Sequence, residues 1–355
     1  MKRIIKKISC FNYLPLFSLL LALLLGAVMI FLTGNNPIVI YQKMLAGIAG
    51  SRNSIIQTLL QTTPLIFCGL AVAVGMRGGL LNLGVEGQLY IGSLCSAIVG
   101  LNVKGLPAAL HILLCLLAAM AGGALWALIP VIMKLKLGAH EVVSALMLNY
   151  IATLLVDFMT NYPLRDADAS TAQTKELAAS AQLPKLIARS QVSVAIVIGI
   201  VLAVLLAVFF KHTVLGYKIT MVGSSPSASA AAGIRVQRTM LFTMMISGVC
   251  GGLAGAAQVM GTYGKLIQGF STGYGFEGIA VAVLGTSPVT VIFGSVLFGA
   301  LRAGGTALSY GTNLSIKFIS ALQGVIILLM AAPELTKNLA RAEFFVRMRR
   351  KTHGG

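Results

Sequence analysis

Long apolar runs, separated by short polar or basic intervals, make up most of this chain. The first run, Leu14 to Leu32, is about as long as a helix must be to cross a bilayer. These runs are continuous, whereas the strands of a membrane barrel would alternate apolar and polar positions. Similar runs, some of them shorter, follow at 54–74, 89–103, 106–133, 139–160, 191–210, 239–261, 276–285, 289–303 and 316–332. The pattern predicts an all-α polytopic membrane protein with about 10 (8–10) transmembrane helices, some of them discontinuous.

The polar intervals indicate how the helices are oriented. Lys and Arg are concentrated at residues 1–12, 211–238 and 333–355, and basic segments of membrane proteins stay preferentially in the cytoplasm. The longest polar interval, 161–190, carries charges of both signs and is expected to be an external loop. We therefore expect a single transmembrane domain, 1–355, that crosses the membrane many times and has both termini in the cytoplasm.

Composition agrees with a membrane protein and excludes several classes of function. Hydrophobic residues make up 57% of the 355 residues and charged residues 10%, and the mean hydropathy is +0.91, unlike a soluble domain. The net charge of +18 does not indicate nucleic-acid binding, because the basic residues lie at the ends of apolar runs, next to lipid head groups. His140 and Glu141 begin a zinc-protease pattern, but Ser144 stands where the second histidine would be. No metal site and no catalytic residue is predicted, and the chain is not expected to be an enzyme.

One stretch, Gly78 to Leu89, brings three polar side chains together between apolar runs. Asn82, Glu86 and Gln88 are costly in a membrane unless they line a pathway or hold an interrupted helix in shape. The motif Gly84-Val85-Glu86-Gly87 has a counterpart in Gly275-Phe276-Glu277-Gly278. The repeated motif predicts an internal repeat with a broken helix in each half. Whether the two Glu side chains contact a solute or cap the following helices stays open at this point.

Polar residues also mark two other segments. Glu141 begins a span in which Asn149 and two further polar residues are spaced four apart, so that they share one helix face. This face either lines a pathway or binds a neighbouring helix. In the basic segment 211–238, Ser225 and Pro226 are typical of a helix start, and an alanine-rich stretch follows up to Gly233. A short helix there would suit docking to another protein, and a simple connecting turn is the alternative. The interval 34–53, between the first two apolar runs, is predicted to be a polar connection.

Three motifs in this chain closely resemble the permease subunits of ABC importers for nucleosides and simple sugars, in the branched-chain amino acid and ribose permease superfamily. They read GLLNLGVEGQ at 79–88, EVVSALMLNY at 141–150 and GYGFEGIAVAVLG at 273–285. The resemblance extends from about Pro64 to Pro333 and is greatest to permeases for guanosine and other purine nucleosides. It implies a protein of the cytoplasmic membrane of a prokaryote.

The resemblance also implies partners and roles for particular residues. The expected partners are an ATPase subunit with two nucleotide-binding domains, a second homologous permease in a heterodimer, and an external substrate-binding lipoprotein. ATP and magnesium would belong to the ATPase, because this chain has no phosphate-binding G-x-x-x-x-G-K-[ST] motif and is expected to hold no cofactor. The residues expected along the pathway or in the broken helices are Asn82, Glu86, Gln88, Glu141, Asn149 and Glu277. Those expected to couple to the ATPase are Gly216, Gly223, Ser225, Pro226, Ala231 and Gly233.

The expected function is import of a nucleoside, preferably a purine nucleoside, driven by ATP hydrolysis on a partner subunit. A simple sugar is the alternative solute. An ion-coupled secondary transporter is the alternative mechanism, because intramembrane carboxylates can carry protons. A membrane-embedded enzyme is less favoured, because no nucleophile and base are paired in the sequence.

Overall fold

The computed structural model describes residues 14–32, 34–311 and 324. This part of the chain consists of helices and connecting segments and contains no β-strand. The α-helices are α1 Leu14–Leu32, α2 Pro37–Ala49, α3 Arg52–Arg77, α4 Val85–Asn102, α5 Ala108–Leu137, α6 Glu141–Asn161, α7 Ala195–His212, α8 Val214–Ser224, α9 Pro226–Ala231, α10 Val236–Ala256, α11 Tyr274–Leu284 and α12 Pro288–Gly311. A short 3₁₀ helix covers Ala179–Ala181, and a π-helical turn, Ala257–Tyr263, extends α10. The prediction of an all-α polytopic membrane protein is confirmed.

Six helices in this part of the chain are long and apolar enough to cross a membrane, namely α3, α5, α6, α7, α12 and α10 with its extension. The bent pair of α1 and α2 would add a seventh span. The predicted tails 1–12 and 333–355 and, apart from residue 324, the predicted span 316–332 lie outside the described residues, so the number of about ten crossings stays a prediction.

The interval 34–53 is not the polar connection that the sequence pattern predicts. It contains α2, which begins at Pro37 directly after the N-cap residue Asn36. The Asn36 side chain accepts a hydrogen bond from the backbone N–H of Ile38 at 3.0 Å. An Asn followed by Pro is a recognisable helix start, and it outweighs the local polarity.

The chain divides into two compact units, and residues 51–303 form the larger one. Its centre consists of α3 and of α10 with its extension. In an 18-residue, membrane-length stretch of these two helices, 83% and 67% is buried, whereas in α5, α6 and α7 the buried share is 22–33%. The less buried helices expose mainly apolar side chains, as helices in contact with lipid do. Within the smaller unit, α2 packs through Gly47 against Gly304 and Ala307 at the end of α12.

The two central helices run in opposite directions. Near the end of α3, Gly78 packs against Thr243 in the first half of α10. One to two turns earlier in α3, the carbonyl of Ala71 accepts a hydrogen bond of 2.5 Å from Ser247 Oγ, which lies further along α10. Each of the two helices is followed by a non-helical break, residues 78–84 after α3 and 264–273 after the π-helical turn.

The helix that follows each break packs in parallel on the other central helix. In α4, Gln88 packs against Gly251 and Leu89 against Gly255 of α10. In α11, the hydroxyl of Tyr274 donates to Oε1 of Gln61 in α3 at 2.9 Å, and one turn later Gly278 packs against Cys68. The order of elements is therefore the same in both halves and their directions are opposite, which is the arrangement of an inverted repeat.

The segment 161–190 is folded over the helix ends on one side of the larger unit. Backbone hydrogen bonds join Leu177 N to Gly264 O (2.8 Å) and Leu183 N to Met260 O (2.9 Å). The side chains of Leu177 and Leu183 are 2% and 3% exposed. This polar interval is therefore packed against the helix ends through its few apolar residues. Its mixed charge alone does not predict this packing.

Candidate functional site

The break 78–84 is held by the side chain of Asn82, which is completely buried. Its Oδ1 accepts hydrogen bonds from the backbone N–H of Gly84 and from Nε2 of Gln88, both at 3.0 Å. Its Nδ2 donates to Oε1 of Gln88 at 3.1 Å and to Oγ of Ser247 at 2.7 Å. The amides of Asn82 and Gln88 therefore bind each other, and Ser247 ties them to α10. Such mutual satisfaction is what a polar pair in a membrane interior requires.

Asn149 ties the same break to α6. Its Oδ1 accepts from the backbone N–H of Gly87 at 2.9 Å, and its Nδ2 donates to the carbonyl of Leu83 at 2.8 Å. The first N–H groups of a helix have no partner within the helix, so this contact satisfies one that would otherwise be orphaned at the start of α4. A side chain at Gly87 would meet Asn149 and the indole nitrogen of Trp126. Of the two interpretations of the polar face of α6, the structure shows binding to a neighbouring segment at Asn149.

Glu86 joins the two breaks to each other. It lies in the first turn of α4 and is 6% exposed. Its Oε1 accepts from Ser271 Oγ at 2.5 Å, and its Oε2 accepts from the backbone N–H of Gly275 at 2.6 Å. Ser271 belongs to the second break and Gly275 to the first turn of α11, so the carboxylate caps the helix of the other half of the molecule. The exposed N–H groups and dipole of a helix amino terminus favour a negative charge in this position.

The amino ends of α4 and α11 are in direct contact. A Cβ at Gly275 would overlap the backbone nitrogen and Cα of Glu86, so the site requires glycine at this point. Asn149, which binds the start of α4, lies near the middle of the membrane-length helix α6. The two half-helices therefore meet at about the depth where transporters with broken helices place their solute and ion sites.

Glu277 has a different environment from Glu86, although the two residues occupy equivalent motif positions. It forms an ion pair of 2.8 Å with Arg302 of α12. The guanidinium of Arg302 also lies 4.1 Å from the centroid of the Tyr274 ring. The exposed fractions of the two charged side chains are 12% for Arg302 and 17% for Glu277. In this conformation Glu277 is neutralised by a cation, whereas Glu86 is held by neutral donors.

Glu141 is not brought into this cluster. It lies in the first turn of α6 and forms an ion pair with Lys134, near the end of α5. Both side chains are partly exposed, at 24% and 34%. Of the six residues predicted for the pathway or the breaks, four bind the first break or link it to the second, namely Asn82, Glu86, Gln88 and Asn149. Glu277 binds Arg302 next to the second break, and Glu141 lies apart from both breaks.

The predicted short helix in the segment 211–238 is present as α9. Ser225 is its N-cap, and the Ser225 Oγ accepts from the backbone N–H of Ala228 at 3.3 Å. The segment turns after α9 at Gly233, whose φ of 79° suits glycine. All residues of α9 except Ser229 are exposed. A helix of small side chains is therefore displayed at the surface.

The preceding helix, α8, packs on the rest of the protein with one face. Gly216 lies against the last turn of α7, and Ile219 and Val222 are buried. Near its end, Gly223 contacts the backbone of Arg77 and Gly79, where the first break begins. The segment predicted to couple to an ATPase therefore contacts the break directly.

Three residues of the site are missed by the sequence motifs, namely Ser247, Ser271 and Arg302. Arg302 is the only charged residue of α12. A single charge in an apolar helix indicates a functional or paired residue, so the sequence does contain a signal for Arg302. The two serines carry no such signal, because hydroxyl side chains are common in membrane helices and usually bind their own backbone.

Comparisons with known proteins agree with the helical architecture. Residues 54–331 match the model of a family described as branched-chain amino acid transport system / permease component. The chain is 34% identical over 322 residues to the guanosine ABC transporter permease protein NupP of Bacillus subtilis, covering 90% of this chain and 92% of NupP. It is 35% identical over 300 residues to the nucleoside ABC transporter permease protein NupB of Lactococcus lactis, covering 82% of each chain.

A third relative is named for a sugar. The glucose ABC transporter permease protein TsgB13 of Haloferax volcanii is 29% identical over 335 residues, covering 91% of this chain and 88% of the relative. The family match spans most of the chain, and these relatives are similar to it over nearly their full length. This chain is therefore a membrane permease that belongs to the branched-chain amino acid transport system / permease component family.

Proposed function

We propose that this protein is the permease subunit of an ABC importer that carries nucleosides, preferably purine nucleosides, across the cytoplasmic membrane. The proposal is supported by the similarity to permeases named for guanosine and nucleosides. The single structural observation that carries it is the meeting of two half-helices at Glu86, within a unit built as an inverted repeat. A simple sugar is the second candidate solute, because one relative is named for glucose.

ATP hydrolysis takes place on a partner ATPase, which binds the exposed face of α8 and α9. Two features support this docking surface. The side chains of α9 are small and exposed, so the groove of a partner can approach its backbone closely. The surrounding residues Tyr217, Lys218 and Arg235 are also exposed and supply an aromatic ring and positive charges at the rim. A second, homologous permease supplies the other half of the pathway, and an external lipoprotein delivers the solute.

Transport proceeds by alternating access at the two breaks. In the conformation described above, the Glu86 carboxylate and the amides of Asn82 and Gln88 are bound by protein donors and acceptors. These residues therefore hold the breaks in shape. Movement of α8 during ATP hydrolysis displaces the break 78–84, and Glu86 then releases the amino end of α11. The N–H groups and carbonyls exposed in the breaks become available to the hydroxyls and ring nitrogens of a nucleoside.

The rival mechanism, an ion-coupled secondary transporter, needs a carboxylate that can exchange protons with both sides. Glu277 is paired with Arg302 and Glu86 is bound at both oxygens, so both carboxylates are occupied by protein partners in this conformation. The exposed α9 also suits docking of an ATPase, which a secondary transporter does not have. Both observations favour the ABC mechanism.

The experiment that tests the proposal measures uptake by proteoliposomes containing this permease, its second permease and the binding protein, with and without the ATPase. Uptake of a labelled purine nucleoside is expected only with ATPase and ATP, and an excess of unlabelled glucose should not compete. Competition by glucose would assign the solute to sugars. Uptake that persists without any ATPase, and follows an imposed proton gradient, would establish the secondary transporter instead.

The docking surface has its own test. Ala231 is exposed on α9, and Ala231→Glu should reduce both co-purification of the ATPase and ATP-dependent uptake, because it places a charge in a small-residue contact. Ala167, exposed in the segment 161–190, provides the matched control. Ala167→Glu should leave ATPase binding unchanged. Equal loss of ATPase in both variants would contradict the assignment of the docking surface.

A further inference from the structure

The carboxyl end of α3 is a junction of four parts of the larger unit. Its last residue, Arg77, donates a hydrogen bond of 3.1 Å from Nε to the carbonyl of Thr286, in the connection between α11 and α12. The guanidinium carbon of Arg77 lies 4.6 Å from the centroid of the Phe210 ring, in the last turn of α7. The backbone of Arg77 contacts Gly223, in the last turn of α8.

The contact between α8 and the junction is backbone against backbone. A Cβ at Gly223 would overlap the carbonyl oxygen of Arg77 and would lie 2.9 Å from the nitrogen of Gly79. In the other direction, a Cβ at Gly79 would lie 3.1 Å from Cα of Gly223. Interfaces of this kind transmit a displacement with little loss, because no flexible side chain lies between the two segments.

Arg77 extends this contact to the second half of the molecule. The first break starts immediately after Arg77, so a shift of α8 reaches it directly. The end of α11 is reached through the Arg77 side chain, which binds the Thr286 carbonyl, in addition to the packing of α11 along α3. Because α11 is a continuous helix of 11 residues, movement of its carboxyl end is delivered to its amino end at Gly275. Both half-helices that meet at Glu86 are thus connected to α8 at this one point.

We propose that Arg77 is the positioning residue that couples movement of α8 to α11, and so synchronises the two breaks. The inference rests on the proposed function, because it requires an ATPase that moves α8. Loss of the Arg77 side chain would leave the ATPase docking surface and the first break in place. The ATPase would then hydrolyse ATP and move α8 without the Arg77 link to the end of α11, and transport would be largely uncoupled from hydrolysis.

The test uses the complete transporter in proteoliposomes and measures ATP hydrolysis and purine nucleoside uptake in the same preparation. For Arg77→Ala we expect hydrolysis within about twofold of the native rate and uptake reduced about tenfold, the order expected for losing one hydrogen bond and one cation–π contact. Arg77→Lys keeps the positive charge but not the planar guanidinium group. For this variant we expect the number of ATP molecules hydrolysed per nucleoside to lie between those of the native protein and Arg77→Ala. Arg52, exposed at the other end of α3, is the matched control, and Arg52→Ala should match the native protein.

An unchanged ratio of ATP to nucleoside in Arg77→Ala would overturn the inference. If that variant does not assemble, Arg77→Lys decides: a ratio raised about threefold or more supports the coupling role, and the native ratio refutes it. A simple structural role would lower hydrolysis and uptake together and would leave their ratio unchanged. Absence of ATP-dependent uptake by the native transporter would contradict the proposed function, so the two failures are distinguishable.

Discussion

Truncating Glu86 to alanine tests whether this side chain holds the two half-helices together. In the native protein the carboxylate accepts hydrogen bonds from Ser271 Oγ and from the backbone N–H of Gly275. Glu86→Ala leaves the buried N–H of Gly275 and the partly buried hydroxyl of Ser271 without this partner. The amino end of α11 would also lose the negative charge that its dipole favours.

The expected destabilisation follows from the cost of leaving buried donors unpaired, about 1–3 kcal/mol for each group. Two such groups give about 3–5 kcal/mol for Glu86→Ala. For Glu86→Gln we expect about 1–2 kcal/mol, because the amide can still accept from Gly275 and donate to Ser271 but loses the charge assistance. A loss of 3–5 kcal/mol should lower the unfolding midpoint by roughly 5–10 °C, scaled from soluble domains of similar size.

The assay is a thermal unfolding curve of the purified permease in detergent, followed with a dye that fluoresces on reaction with thiols. Cys68, Cys115 and Cys250 are buried and free in the folded protein, so they react only on unfolding. One heating rate is used throughout, because membrane proteins commonly unfold irreversibly and the midpoint then depends on the rate.

Glu141→Ala is the matched control for this experiment. Glu141 also lies in the first turn of a helix, but its ion pair with Lys134 is partly exposed. We expect its removal to cost about 1 kcal/mol or less. Equal midpoints for Glu86→Ala and Glu141→Ala would refute the idea that Glu86 joins the half-helices.

Three further changes probe other contacts of the site. Asn149→Leu removes the partner of the Gly87 N–H and of the Leu83 carbonyl and should lower stability by about 1–3 kcal/mol. Thr153→Val, one turn later, removes a hydroxyl that donates to the carbonyl of Asn149 on its own helix and should cost less; equal losses in the same thermal assay would contradict the capping role. Gly275→Ala places a methyl group against the backbone of α4, and it should reduce uptake by proteoliposomes more strongly than Gly324→Ala, because Gly324 is exposed and has open space around it; equal uptake would contradict the close contact of the half-helices. Glu277→Gln and Arg302→Gln should each destabilise the protein by about 1–3 kcal/mol, less than the loss of a fully buried ion pair, because both side chains are slightly exposed and Arg302 keeps its hydrogen bond to the Thr272 carbonyl. The double variant should recover part of this loss, and strict additivity of the two changes would show that the pair does not interact.

Much of the architecture follows from local sequence. The apolar runs predict most of the helices because a bilayer leaves the backbone no other partners. The starts of α9 and α11 are also local, since Ser225 with Pro226 and the glycines of the second motif are helix boundary signals. The helix α2 is missed because Gln42 and Lys43 lower the hydropathy of its segment, although its Asn36 cap is visible in the sequence.

The stretch Gly78 to Leu89 shows how far sequence alone can go. Its polar residues and glycines predict a broken helix, because amides and a carboxylate are costly in an apolar segment unless they bind a partner or line a pathway. The similar motif at Gly275 to Gly278 predicts a related break. Sequence leaves open whether Glu86 contacts a solute or caps its own helix, and the structure shows that Glu86 caps the helix of the other half.

The sequence by itself therefore determined the class of protein, most of its helices, its two breaks and the family to which it belongs. The tertiary structure decided which polar groups bind each other. Ser247 binds Asn82 and Ser271 binds Glu86, across long stretches of chain and without any local signal. The two equivalent glutamates also differ only in tertiary context, since Arg302 lies beside Glu277 and neutral donors lie beside Glu86. The physical reason is that a helix can be read from neighbouring residues, whereas a buried polar group is satisfied by whichever partner the packing of distant helices brings within hydrogen-bond distance.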